Sequence, residues 1–272
     1  MNAHEMPSVL DAIVAAAYRR VEAARERVSL ADLERRLPDR RRTFEHSLSL
    51  PGIRVIAECK RRSPSRGVLR PDYDPVAIAR QYAAAGAAAV SVLTEPGFFD
   101  GDLEHLAAVH AAQPDLPLLR KDFVVDEYQL AEAAVAGASA VLLIVAALEQ
   151  AALTRLLAYA EQIGIDVLTE VHDEDEASRA IDGGARIVGV NNRNLKTLAV
   201  SIETAFRVAP LIASAQVRVA ESGLRTGADL ASLSASGYHA FLIGERFMTD
   251  ANPGAGLARV TAEATAAAGA QA

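Results

Sequence analysis

The sequence is short of several residue types and patterns, and each shortage excludes something. There is one cysteine, Cys59, so no internal disulfide can form, which fits a reducing compartment. There is no tryptophan and only 5% of residues are aromatic, so any core must be filled by Ala, Val and Leu. Positive charge is in deficit: 28 Lys and Arg against 35 Asp and Glu leave a net charge of −7. That balance argues against nucleic acid and against an anionic membrane surface as partners, though a site can be locally positive inside an acidic protein. No apolar run approaches a membrane span; the longest is Ala140 to Leu148. Met1 to Leu10 shows no basic flank leading into an apolar stretch, so no secretory signal is expected and a soluble, cytoplasmic protein is. The six histidines, His4, His46, His105, His110, His172 and His239, have no second ligand-type residue at metal spacing, so no metal is expected.

What is present is apolar material in quantity. Of 272 residues, 51% are hydrophobic, enough for one large α/β domain or two small ones. Residues 1–50 read as a helical extension. Val9, Leu10, Ile13, Val14, Ala17, Tyr18 and Val21 fall on one helical face within Pro7 to Val28, and Ser29 starts a second helix over Leu30 to Leu37. Asp39 to Arg42 is a charge run of the solvated kind. The extension is expected to lie on the main body, which should close without residues 1–48.

From residue 53 short apolar runs alternate with helical stretches. Eight runs predict strands: Val55–Lys60, Val90–Leu93, Leu116–Lys121, Ala140–Ile144, Asp166–Glu170, Ile187–Asn191, Val217–Glu221 and Ala240–Ile243. Asp74 before Pro75, Asp173 with Glu176, and Thr226 with Asp229 have helix-start spacing. Gly86, Gly137, Gly184 and Gly237 each stand a few residues before an even-numbered strand, at intervals of 51, 47 and 53 residues. A period near fifty that holds two strand–helix units predicts a closed (β/α)8 barrel over residues 51–272. A doubly wound sheet shares the alternation, but no Gly-x-Gly-x-x-Gly follows the first strand.

In such a barrel the chemistry sits at the C-terminal strand ends. The first strand ends on Glu58 and Lys60, which share a face because side chains alternate; Cys59 then faces the core. The pair alone could be a strand-end salt bridge. The third strand ends at Lys121, the fifth at Glu170 before His172, and the sixth at Asn191 to Asn194. The seventh runs into Glu221–Ser222–Gly223 and the eighth into Gly244–Glu245. Two lysines and two carboxylates on one rim would shift each other's proton affinities. His172 reads as a supporting or solvated residue. The turns after the last two strands suit a phosphate, with Gly244 letting backbone approach the anion; two ordinary tight turns are the alternative. Phe99, Phe123, Leu93, Leu142 and Leu195 could line an apolar slot or simply be core.

These motifs resemble the indole-3-glycerol phosphate synthase family. The matching stretches are Ala57–Lys60 with Ser63–Ser65, Ser91–Glu95, Leu119–Phe123, Leu168–His172, Gly189–Leu195, Glu221–Gly223 and Leu242–Glu245. The resemblance implies a (β/α)8 barrel with an N-terminal helical extension, and a carboxy-lyase of tryptophan biosynthesis that needs no cofactor. It implies Lys121 as general acid at the substrate carbonyl. Lys60 would serve a later proton transfer and hold anionic substrate groups. Glu58 and Glu170 would stabilise a cationic intermediate and move protons. Asn191 would position a reacting hydroxyl or carboxylate, and Arg193 would lie near the substrate carboxylate. Ser63 and Ser222 would orient the substrate beside Phe99, Phe123, Leu142 and Leu195. Gly223, Gly244 and Glu245, with Lys60, would hold the phosphate. Arg246 departs from the small residue common there, and Cys59 from an apolar one. The expected partner is a phosphorylated small molecule, with neither nucleic acid nor membrane, bound by a monomer or weak oligomer. Other phosphosugar barrels (a phosphoribosylanthranilate isomerase, a Schiff-base aldolase) and a non-catalytic phospho-ligand binder are the competing readings.

Overall fold

Eight short parallel strands close on themselves: β1 (Arg54–Cys59), β2 (Ala89–Leu93), β3 (Leu118–Lys121), β4 (Ala140–Ile144), β5 (Asp166–Val171), β6 (Ile187–Asn191), β7 (Val217–Glu221) and β8 (Ala240–Ile243). Each pairs with its neighbours in the chain, and β8 pairs back onto β1 with Ala57 opposite Ile243. This is a (β/α)8 barrel, as the alternation and the glycine period predict. The computed structural model describes residues 9–39, 43–195 and 197–269. The N-terminal stretch with His4, the arginines Arg40 to Arg42 and the last three residues lie outside them.

Strand parity sorts the side chains into two cores. Ile56, Ala89, Leu119, Ala140, Leu142, Leu168, Ile187, Val217, Val219, Ala240 and Leu242 fill the barrel interior. Val55, Ala57, Cys59, Val90, Val92, Val141 and Val188 face the surrounding helices. Cys59 is thus core, and burial pushes its thiol pKa up, with Glu58 adding to the effect. The repeating glycines Gly86, Gly137, Gly184 and Gly237 all have left-handed φ, between 83° and 95°. They end the helices that lead into β2, β4, β6 and β8, where a residue with a Cβ would be strained.

The helix starts follow the predicted capping residues. The Asp74 carboxylate accepts from the backbone N–H groups of Val76 and Ala77, each at 3.0 Å. Thr226 and Asp229 form a reciprocal capping box. Asp173 caps the helix Glu174–Asp182 by accepting from Glu176 N at 2.9 Å, but the Glu176 side chain does not return the bond to Asp173. It turns to His172 instead.

The N-terminal segment works at both ends of the barrel. Helix α1 (Val9–Arg25) buries Ile13, Ala17 and Val21, and α2 (Leu30–Glu34) starts at a Ser29–Asp32 capping box. Helix α3 (Thr43–Ser49) has no counterpart in the sequence reading. It closes the floor of the barrel, with Phe44 and Leu48 fully buried among the interior residues. Asp166, at the start of β5, accepts from Glu45 N at 3.0 Å at the first turn of α3, and Arg54 Nε donates to Ser47 O at 3.0 Å. The expectation that the barrel closes without residues 1–48 leaves α3 out of account, although two of the interior's buried side chains come from it. Removing it would expose the lower interior layer to water.

Candidate active site

The inward positions at the C-terminal ends of β1, β3, β5 and β7 carry charge, whereas β2 and β4 end on the apolar Leu93 and Ile144. Lys121, at the end of β3, projects between two carboxylates. Its Nζ lies 3.2 Å from Glu170 Oε2 on β5 and 3.7 Å from Glu221 Oε2 on β7. Lys60, just past β1, pairs with Glu58 on the same face, as the alternation requires. The Glu58, Glu170 and Glu221 side chains are buried, and both ammonium groups are largely so.

Such crowding separates the proton affinities. Burial pulls the Lys121 pKa down, but the carboxylates of Glu170, Glu221 and Glu58 outweigh it and hold the ammonium above its ordinary range. Burial pushes Glu170 up, yet Lys121, His172 and Asn191 hold it well below the usual carboxylate range. Glu221 goes the other way: burial and the Glu170 charge push it up to about 8 against the pull of Lys121. One carboxylate is kept ionised and its neighbour protonated at neutral pH, a pattern that separates a base from an acid.

Glu221 is not among the site residues predicted from the sequence, although strand parity marks it: Val217 and Val219 face inward, so Glu221 does too. Gly189 on β6 makes its space. A Cβ there would stand 2.2 Å from Glu221 Oε1. Asn192 is a second omission. Its side chain donates to Ser222 O at 3.1 Å and accepts from Ala205 N at 3.0 Å, pinning the turn after β7. Ser222 holds a left-handed φ of 63° there, a costly conformation for a residue with a Cβ, and Gly223 follows at 75°.

All the residues singled out from the sequence line one cavity of about 580 Å³ at this rim: Glu58, Lys60, Ser63, Phe99, Lys121, Phe123, Leu142, Glu170, Asn191, Arg193, Leu195, Ser222, Gly223, Gly244 and Glu245. On one side Phe99 and Phe123 stand with ring centroids 6.4 Å apart, near Leu142 and Leu195. Val9, Leu10 and Ile13 of α1 complete this apolar wall. On the other side lie the Ser222–Gly223 turn and the short helix Glu245–Met248. Arg66 Nη1 meets Glu245 Oε1 at 2.9 Å there, and Arg193 Nη2 lies 3.9 Å from Glu245 Oε2. Arg246 turns its guanidinium onto Arg225 O. A smaller cavity of about 230 Å³, beside Glu45, Asp166 and Arg186, is lined by none of the candidate site residues.

Glycine at 244 has a packing reason besides the expected one. Its φ of −124° is open to any residue, but a Cβ would fall 2.2 Å from Glu58 Oε1. Gly244 makes room for the Glu58 carboxylate, whatever it also does for an anion. Other polar strand ends are structural. Thr94 donates to Asp122 Oδ2 at 2.8 Å, and Arg120, on the outward face of β3, reaches Glu132 at 2.8 Å. Glu95 accepts from Gly97 N and Phe98 N as a helix cap. Among the described residues, no three or more His, Cys, Asp or Glu side chains are grouped as metal ligands.

The family model described as indole-3-glycerol phosphate synthase matches residues 10–260. The chain belongs to the indole-3-glycerol phosphate synthase family. A relative from Desulfotalea psychrophila with that name is 45% identical over 258 residues, covering 94% of this chain and 99% of that protein. One from Nocardioides is 49% identical over 257 residues, covering 93% and 98%. Among solved structures, mandelate oxidase with (S)-2-phenylpropionate is similar at a TM-score of 0.61 and 19% identity, covering 89% of this chain and 93% of that one. 3-Hexulose-6-phosphate synthase is similar at 0.60 and 15%, covering 78% and 99%. At such identities the likeness is one of fold alone. The indole-3-glycerol phosphate synthase relatives span nearly the whole chain, so the rim just described falls inside the matched region.

Proposed function

We infer that the chain closes the indole ring. It converts 1-(2-carboxyphenylamino)-1-deoxyribulose 5-phosphate into indole-3-glycerol phosphate, releasing carbon dioxide and water. The observation that carries this reading is the Lys121 ammonium, set between Glu170 and Glu221 in a cavity with an apolar wall on one side and the Ser222–Gly223 turn on the other. The anthranilate ring lies against Phe99, Phe123, Leu142 and Leu195. The phosphate lies at Gly223, Gly244 and Glu245, within reach of Lys60.

Lys121 gives its proton to the ketose carbonyl oxygen as the ring carbon attacks the carbonyl carbon. Glu58 and Glu170 stabilise the cation that forms. Loss of carbon dioxide restores the ring electrons, and loss of the new hydroxyl as water completes the pyrrole, with Lys60 and the two carboxylates moving the protons. Asn191, whose Oδ1 accepts from Arg193 N at 3.0 Å, positions the reacting groups together with Ser63 and Ser222. Arg193 faces the substrate carboxylate. The same reading places the enzyme in the cytoplasm.

Two competing chemistries fit the rim poorly. An isomerase of the phosphoribosylanthranilate type needs a cysteine at a strand end, and Cys59 is buried on the outer face. An imine-forming lysine needs a depressed pKa, whereas Lys121 is held up. The test follows indole-3-glycerol phosphate fluorescence on adding the carboxyphenylamino-deoxyribulose phosphate. Turnover is expected, falling about 10²–10⁴-fold in Lys121→Met while an unreactive substrate analogue still binds. A parent protein that binds the analogue without turnover refutes the reading, and a borohydride-trapped adduct on Lys121 replaces it with the aldolase one.

A further inference from the structure

Glu170 is gripped from two sides, and the reaction as derived uses only one. Its Oε2 meets Lys121 in the cavity. Its Oε1 lies 3.2 Å from Nε2 of His172, which stands behind it just past β5 with only 7% of its side chain exposed. The other ring nitrogen, Nδ1, lies 3.0 Å from Glu176 Oε2, and that same oxygen accepts from His172 N at 2.9 Å. Glu176 sits in the first turn of Glu174–Asp182 and gives up the usual capping-box bond to make these contacts. Glu176, His172 and Glu170 thus form a buried line, carboxylate to imidazole to carboxylate, that ends at the reacting rim.

We propose that His172, held by Glu176, is a positioning residue that keeps the Glu170 carboxylate ionised and aimed while Lys121 releases its proton. The inference rests on the ring-closing reading. When Lys121 gives up its proton, Glu170 loses the cation on Oε2. Without a second cation, a buried carboxylate would take a proton back and cease to stabilise the positive intermediate. A protonated imidazole on Oε1 supplies that cation, and a ring that donates from both nitrogens is fixed between two acceptors. The Nε2–H is off the line to Oε1, so the contact is an ion pair short of a linear hydrogen bond. A small turn of the carboxylate would complete it.

The surroundings favour the protonated ring. Burial opposes it, but Glu170 and Glu176 outweigh burial and hold the pKa up at about 10. The charged neighbours are Glu170 on the strand and Glu176 on the helix, with Lys121 beyond Glu170. From β6 comes neutral Asn191, bonded to Glu170. The turn Val145–Ala147 carries no titratable side chain, and Arg179 of the helix spends its guanidinium on Val145 O and Leu148 O.

Two measurements test this. The first is the imidazole resonance of His172 in the intact protein, assigned by its loss in His172→Gln and followed with pH. The ring should be protonated at pH 7–8, and Glu176→Gln should lower its pKa. This readout needs no turnover, so it stands even if the ring-closing reading fails. The second is the pH profile of kcat with the carboxyphenylamino-deoxyribulose phosphate. Both His172→Gln and Glu176→Gln should lower kcat roughly tenfold or more, with a smaller change in KM. They should also move the acid limb up by about one pH unit, because Glu170 then takes a proton more readily. A neutral His172 ring at pH 7, or folded variants with the parent's kcat and acid limb, overturns the proposal. If His172→Gln does not fold, Glu176→Gln and the parent's resonance decide.

Discussion

At the scale of the residue, two glycines and the two glutamates they make room for define the rim more sharply than any motif does. Gly189 and Gly244 leave the room in which Glu221 and Glu58 place their carboxylates. In Gly244→Ala the new methyl must displace the Glu58 carboxylate and loosen its pair with Lys60. We expect kcat to fall at least as much as KM rises; a rise in KM alone would show that Glu58 was not disturbed. For Glu221 the sign of the pH effect follows from its raised pKa. Between about 4.5 and 8 the folded state keeps this proton while the unfolded state loses it, so the group's contribution to stability declines as pH rises through that window and is level above it. Glu221→Gln carries no such proton. Its melting temperature relative to the parent should therefore climb from pH 5 to 8 and then flatten. A constant difference across that range would mean that Glu221 is ionised in the fold at pH 5.

At the scale of the element, Arg20 and Arg25 tie α1 to the segments beyond the strand ends, and Arg20 makes the buried contacts. Arg20 bonds Glu95 Oε1 at 3.2 Å and Asp122 Oδ1 at 2.8 Å, and both carboxylates are buried. Asp122 keeps Thr94 and Arg120, and Glu95 keeps its cap bonds, so Arg20→Ala should cost about 1–3 kcal/mol, short of the cost of stranding a lone charge. Because Val9, Leu10 and Ile13 wall the cavity, loosening α1 should also raise KM, which steady-state kinetics on the folded variant would read. An unchanged KM would detach α1 from substrate binding. The sequence makes α1 itself legible, since its apolar spacing is local. It also yields the strands, through alternation, and the Glu58–Lys60 face, through parity. Arg20's partners lie 75 and 102 residues away and leave no local trace. Helix α3 escapes for the same reason. Its seven residues are too few for a periodic signal, and its two anchors gain meaning only from the opening they fill.

At the scale of the whole molecule, the barrel separates chemistry from closure. The C-terminal rim collects buried charge, which is costly to fold and poised to act, while the N-terminal floor collects hydrocarbon. Two of the floor's anchors, Phe44 and Leu48, come from a segment that precedes every strand. A packed interior layer lies between the two ends, with Leu168 and Val219 one inward position below Glu170 and Glu221. Phe44→Ala should then remove about 3–5 kcal/mol through lost burial and the cavity left behind. In a chain of this size that is a fall in melting temperature of roughly 6–20 °C. The rim should be untouched, so the folded fraction should keep the parent's kcat and KM. Lys121→Met is the mirror image, with turnover lost and melting temperature much less changed than in Phe44→Ala. Calorimetry and kinetics on the two variants together decide the matter. If Phe44→Ala shifts kcat in the folded fraction, the floor and the rim are mechanically coupled, and the division of the barrel into a stabilising end and a reacting end is wrong for this protein.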